Sequence, residues 1–295
     1  MHGTISRLLH RTLLRAHENP LGLPRSGTPP YWPRMPKKRN IRGVNKVIAV
    51  SSAKGGVGKS TIAANLSLSF ARMGFKAGIL DVDIFGPSIP TIFNLSGEPR
   101  LSEYNQLMPL TGYGVKTMSM GYLVGEEQPV VWRGPMVIKA IQQLLHEVDW
   151  GELDVLVLDL PPGTGDTQLT ITQQVVLEGA VIVSTPHTLA VKDALKGINM
   201  FKKTNVNILG MVQNMSLFTC PNCHHDSHVF GGNQRMGALC EEHQVDFLGD
   251  IPLDQAIGHD ADTGRPTVAI DTENGRSQAF FSIAGRIAAK IGLMN

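Results

Sequence analysis

From residue 46 the chain alternates short, continuous apolar runs with longer stretches in which apolar residues recur every three or four positions. The runs are Val47–Val50, Ala77–Asp81, Val155–Asp159, Ala180–Ser184, Ile208–Gln213 and Asp246–Ile251. Continuous hydrophobicity over so few residues predicts strands covered on both faces, as in a parallel sheet. The periodic stretches predict helices. Ile62, Ala63, Leu66 and Phe70 share one helical face within 60–73, and Met136–Val148, Leu189–Lys203 and Ser277–Met294 follow the same rule. Strands alternating with helices predict an α/β fold: a mostly parallel β-sheet flanked by helices on both faces, in one domain spanning 44–295. The last helix has Phe280, Ile283, Ala284, Ile287 and Ile291 on one face and Arg286 and Lys290 as its charges. That face is expected to pack on the sheet. Lying on a membrane is the disfavoured alternative.

The first 43 residues follow a different rule. Residues 1–17 contain no acid, with Ile5, Leu8, Leu9 and Leu13 at helical spacing and Arg7, Arg11 and Arg15 on another face. An amphipathic, Arg-rich, acid-poor helix is the pattern of a mitochondrial transit peptide; the alternative is a basic tail with no address. The proline-rich, basic stretch 19–40 reads as a linker. Residues 1–43 are therefore expected to be transit peptide and linker, which places the mature protein in the mitochondrial matrix. Charge divides at the same boundary. Residues 1–43 carry nine Lys or Arg and one acid, leaving 18 basic and 24 acidic residues in the remainder. A body of net charge −6 is ill suited to general nucleic-acid binding. No run of 18 or more apolar residues is present to span a bilayer as a helix.

Chemistry enters at Ala53-Lys-Gly-Gly-Val-Gly-Lys-Ser-Thr61. A loop that cradles phosphates needs glycines so that backbone N–H groups can approach, a lysine for charge and a hydroxyl for magnesium. Gly55, Gly56 and Gly58 supply the first, with Val57 between them. Lys59 is placed to reach the β- and γ-phosphates of ATP, Ser60 to bind Mg2+, and Thr61 opens the following helix. The context, strand before and helix after, is that of a P-loop NTPase. Two departures stand out: Ala53 replaces the first glycine, and Lys54 puts a second cation in the loop. Two cations so close repel unless a phosphate, or a partner's nucleotide, lies between them. Two strands end in acids, Asp81-Val-Asp83 and Asp159-Leu-Pro-Pro-Gly163. Asp159, with Asp81 on the next acidic strand end, is a candidate magnesium carboxylate. Gly163 is placed to offer its N–H to the γ-phosphate, and Asp83 to orient the attacking water.

At these residues the chain resembles the MinD/ParA-type ATPases through Lys54-Gly-Gly-Val-Gly-Lys-Ser-Thr61. Within that group, Asp81-Val-Asp-Ile-Phe-Gly-Pro-Ser-Ile-Pro90, Trp132-Arg-Gly-Pro135, Asp159-Leu-Pro-Pro-Gly-Thr-Gly-Asp166 and Asn214-Met-Ser216 are similar to the Mrp/ApbC branch of iron–sulfur carrier ATPases. The resemblance runs from about residue 44 to the end. It implies that Lys54 reaches across a homodimer to the partner's nucleotide, that Asp83 is the switch aspartate, and that Asn214 and Pro252 lie at the adenine. With the Arg-rich N-terminus it further implies upstream cluster-assembly machinery as donor and apo iron–sulfur proteins, respiratory complex I subunits among them, as recipients.

Three cysteines are too few for a disulfide scaffold, and Cys220 and Cys223 form a C-x-x-C pair. Two thiolates three apart can bind one metal or cluster, but a structural zinc or a cubane cluster takes four ligands. Two copies across a two-fold axis supply four, which fits a [4Fe–4S] cluster, and the resemblance points the same way. Zinc held with His224, His225 or His228, a dithiol redox pair, and the haem-attachment pattern Cys220-x-x-Cys223-His224 are the rival readings. Cys240 reads as a small buried thiol. The alternative of another class is a membrane- or DNA-positioning ATPase with a structural zinc or no metal; a kinase- or amidoligase-like enzyme would need a substrate pocket that the sequence does not display.

Overall fold

A computed structural model describes residues 38–123, 134–232 and 234–294. The proposed transit helix and the Trp132-Arg133 part of one motif lie outside the described residues. Residues Lys38–Asn295 form one compact unit. In chain order its elements are β1 (Val44–Ser51), α1 (Lys59–Arg72), β2 (Ala77–Asp81), α2 (Ile89–Phe93), β3 (Leu110–Gly112), β4 (Val115–Ser119), a 3-10 turn (Met120–Tyr122), α3 (Gly134–His146) and β5 (Leu153–Asp159). There follow α4 (Asp166–Gln174), β6 (Gly179–Ser184), α5 (Thr188–Lys203), β7 (Ile208–Asn214), β8 (Phe218–Thr219), β9 (Asp226–Ser227) and α6 (Gln234–His243). The unit closes with β10 (Phe247–Ile251), α7 (Gln255–Asp262), α8 (Thr267–Ile270) and α9 (Gly275–Lys290).

Eight strands form one sheet in the order β10-β7-β6-β1-β5-β2-β4-β3. All neighbours are parallel except β3 and β4, an antiparallel edge. The apolar runs lie in the parallel strands. Alternate residues enter opposite cores: Val155 and Val157 of β5 face one, Leu156 and Leu158 the other. On the first side Ile62, Leu66 and Phe70 of α1 pack with Phe280, Ile283 and Ile287 of α9. On the second, Ile141 and Leu145 of α3, Ile198 and Phe201 of α5, and Trp150 belong to one core. The apolar face of α9 is thus buried on the sheet, as expected. Among the described residues no helix is long and apolar enough to cross a membrane.

Two features depart from the sequence reading. The edge pair β3–β4 was not expected; β3 is only half-buried and carries no apolar run to betray it. The body also begins before residue 44. Arg39 donates its N–H to the Gln174 carbonyl at 2.8 Å and accepts from Val176 N–H at 3.1 Å, and Ile41 is 2% exposed in the core.

Candidate functional site

β1 is flanked by β5 on one side and β6 on the other, so the chain leaves the middle of the sheet at its carboxyl end. That is where parallel sheets bind ligands. The loop after β1 enters α1 at Gly58, whose φ of +82° suits glycine, and a Cβ there would fall 2.2 Å from the Asn214 amide nitrogen. No side chain caps α1 and its first turn holds no acid, so its N–H groups are open to an anion. A Cβ on Gly55 or Gly56 would meet no protein atom within 4 Å. Both line a cleft of about 430 Å³ together with Lys59, Ser60, Thr61 and Asp83. Val57 points inward and is buried. Ala53 is half-buried, and its methyl faces Gly197 of α5 without crowding it.

Lys59 makes an ion pair with Asp159 and donates to Ser60 Oγ at 3.1 Å. Both partners of the pair are almost fully buried. Burial pushes the Asp159 carboxyl upward, against the pull of Lys59. Its second oxygen, Oδ2, is buried with no protein partner. A divalent cation between Ser60 and that oxygen would satisfy it, and would free Lys59 for phosphate. The donor set therefore fits a magnesium nucleotide.

Asp81 is held differently. Its Oδ1 accepts from Asp83 N–H at 3.0 Å, and its Oδ2 from the N–H groups of Ser88 and Ile89 at 2.9 and 3.2 Å and from Ser119 Oγ at 3.2 Å. Burial, and then the Asp159 charge, raise its pKa to about 7. Oδ2 accepts three bonds and Oδ1 one, so Asp81 anchors the 83–89 loop and the start of α2, and it is not among the residues that line the cleft. Asp83 itself lines the cleft, its carboxylate accepting from Phe85 and Gly86 N–H at 3.3 Å each.

Gly163 does not present its N–H freely: it donates to the Ser52 carbonyl at 2.9 Å, a bond that a γ-phosphate would have to replace. Lys54 is exposed and does not line its own cleft. Asp193 of α5 is held below the usual carboxylate range, chiefly by Lys196, with the Lys54 charge a smaller contribution. Asn214, at the end of β7, donates its side-chain amide to the Val57 carbonyl at 2.8 Å. Pro252 lines a neighbouring cavity beyond β10.

Several participants escaped the sequence reading. Ser52 Oγ is buried at the cleft with no partner, and Ser88, Thr91 and Asp262 also line it. Gln168 of α4 holds the strand-end loop by donating to the Pro161 carbonyl and accepting from Ser51 Oγ at 3.3 Å. Ser52 borders the loop and could have been suspected. Asp262 lies some 200 residues away, and no spacing rule brings it there.

The cysteine pair sits at the tip of the β8–β9 hairpin. Cys220 N–H donates to the His225 carbonyl at 3.0 Å, and His224 N–H closes the turn onto Cys220 O at 2.9 Å. His224 takes φ +56°, bending the chain back. The N–H groups of Cys223 and then Asn222 point at the Cys220 sulfur and lower its pKa. Such a turn favours thiolate, the form that ligates metal. Cys220 is half-buried and Cys223 exposed. His228 faces away, its Nδ1 3.3 Å from the Ser216 carbonyl. Among the described residues no three His, Cys, Asp or Glu side chains converge as a metal site, so none of them completes the pair. Cys240 is buried as expected, with its thiol raised to about 11 by burial.

Residues 43–288 match the family model described as the NUBPL iron-transfer P-loop NTPase, within the ParA group. The chain belongs to that family. It is 49% identical over 261 residues to the mouse iron–sulfur cluster transfer protein NUBPL, covering 87% of this chain and 81% of the relative. It is 45% identical over 250 residues to an Arabidopsis thaliana iron–sulfur protein required for NADH dehydrogenase, mitochondrial, covering 84% and 79%. Among solved structures it resembles the nucleotide-binding protein of Archaeoglobus fulgidus in complex with ADP, with TM-score 0.68, 40% identity, and 77% and 89% of the chains covered. MinD of Pyrococcus horikoshii with Mg-ADP shares the fold at TM-score 0.61 and 22% identity, covering 84% of this chain and 98% of that one.

Proposed function

We propose that this protein is an ATP-dependent iron–sulfur cluster carrier that holds a [4Fe–4S] cluster between two copies of itself and delivers it to mitochondrial apoproteins, respiratory complex I among them. The observation that carries this reading is the Cys220–Cys223 turn: two thiol ligands per chain, held at an exposed tip and joined by no third ligand among the described residues. Four cluster ligands then require a second copy. The names of the mouse and Arabidopsis relatives support the cargo and the recipient.

In this reading the N–H groups of the loop and Lys59 hold the phosphates, while Ser60 and Asp159 hold Mg2+. Asp83 orients the attacking water, and Gly163 exchanges its Ser52 partner for the γ-phosphate. Lys54, free of its own cleft, reaches the partner's nucleotide across the two-fold axis. Asn214 and Pro252 lie at the adenine side. Hydrolysis is slow and serves as a switch between holding and releasing the cluster. Residues 1–37 act as the matrix address; Arg39 and Ile41, which belong to the folded body, stay with the mature protein.

Anaerobic reconstitution with iron and sulfide tests the proposal. A brown dimer with about four iron and four sulfide per two chains is expected. Unchanged iron content after replacing Cys220 and Cys223 together with Ala would refute it.

A further inference from the structure

A second cavity, of about 740 Å³, opens beside the phosphate cleft. One wall is the segment after β10 together with α7 and the start of α9, including Pro252, His259 and Arg276. The other wall is the cysteine hairpin itself: Phe218, Thr219 and Pro221. Pro221 lies inside the C-x-x-C pair, directly after Cys220. Helix α7 borders both cavities, with His259 on this one and Asp262 on the phosphate cleft. The two walls are joined by backbone hydrogen bonds at their roots, Ser216 N–H to Ile251 O at 3.1 Å and Leu253 N–H to Leu217 O at 2.8 Å. Both walls line the cavity.

The lining suits a flat, hydrogen-bonding aromatic group. Phe218, Pro221 and Pro252 offer apolar faces, while Arg276, paired to Asp254 at 3.2 Å, keeps a buried Nε with no partner. The nucleobase of a nucleotide whose phosphates lie in the adjoining cleft has that chemistry. We propose that the base, rather than the phosphates, is what the cysteine hairpin senses: a base seated in this cavity braces Phe218 and Pro221 and restrains the turn that carries Cys220 and Cys223. This inference rests on the ATP reading of the phosphate loop. It adds a direct contact between the nucleotide and the hairpin that carries the cluster ligands.

The test compares Mg-ATP with Mg-tripolyphosphate, which fills the phosphate cleft but has no base. Reduced, metal-free full chain is alkylated with iodoacetamide, and Cys220 and Cys223 are followed by peptide mass spectrometry. ATP binding is measured in the same samples by equilibrium dialysis. Saturating ATP is expected to slow alkylation about fivefold or more, the lower range of a typical coupling, while tripolyphosphate leaves it within about twofold of the free chain. Phe218→Ala, at ATP concentrations that saturate the variant, is expected to lose the ATP effect. Equal slowing by ATP and tripolyphosphate would overturn the proposal, placing the message in the phosphates and the Val57–Asn214 bond. Bound ATP with no slowing would overturn it as well. Absence of ATP binding would instead strike the nucleotide reading itself, and this inference with it.

Discussion

The Asn214 side-chain amide donates to the Val57 carbonyl at 2.8 Å, joining the end of β7 to a loop 157 residues earlier. Six residues after Asn214 comes Cys220. The phosphate loop and the thiol pair are therefore attached to the same short segment. Asn214→Ala should lower the unfolding free energy by about 1–3 kcal/mol, the range for stranding a buried hydrogen-bonding group, and should weaken ATP binding. Urea unfolding and nucleotide titration check both. Gly58→Ala should be worse on each measure, because its Cβ meets that amide at 2.2 Å in a backbone conformation that disfavours side chains.

Lys59 and Asp159 form a buried ion pair, and removing one member strands the other. Lys59→Ala is expected to abolish ATP binding and to cost about 3–5 kcal/mol in stability at neutral pH. The sign of its pH dependence follows from Asp159. Burial raises this carboxyl above its unfolded value, so the penalty holds above the folded pKa and fades as pH falls through it. Urea unfolding of Lys59→Ala over a pH series should show the deficit shrinking toward acid.

Ile41 belongs to the core although it precedes β1. A chain beginning at Val44 should unfold with about 2–3 kcal/mol less stability than one beginning at Lys38, from the lost burial of one large aliphatic side chain. The Arg39 backbone bonds to Gln174 and Val176 go with it. Thermal unfolding of the two chains decides the matter, and equal stability would show that this segment contributes nothing.

Cys220 and Cys240 should titrate on opposite sides of an ordinary thiol. The Cys223 and Asn222 N–H groups depress Cys220, so its alkylation should rise at lower pH than that of a free thiol. Cys240, raised to about 11, should stay unreactive at neutral pH. Asn222→Pro deletes one donor to the sulfur and should move the Cys220 profile upward. Rate against pH, read peptide by peptide, measures all three.

Much was legible without tertiary structure. The phosphate loop is contiguous, so its glycines, Lys59 and Ser60 could be read from spacing, and the parallel strands show as apolar runs because both faces are buried. Cys220 and Cys223 are three apart, and a two-ligand pair already asks for a second copy. What the sequence missed depends on groups that meet through space. Asp81 and Asp159 look alike as acids at the ends of buried strands. Only the fold surrounds Asp81 with the N–H groups of Asp83, Ser88 and Ile89 and leaves one oxygen of Asp159 without a partner. The half-buried β3 edge leaves too weak a pattern to read, and the cavity shared by Pro221, Pro252 and Arg276 joins residues far apart in the chain. Local spacing records what neighbours along the backbone must do; which oxygen is satisfied and which wall faces which is decided when distant segments pack.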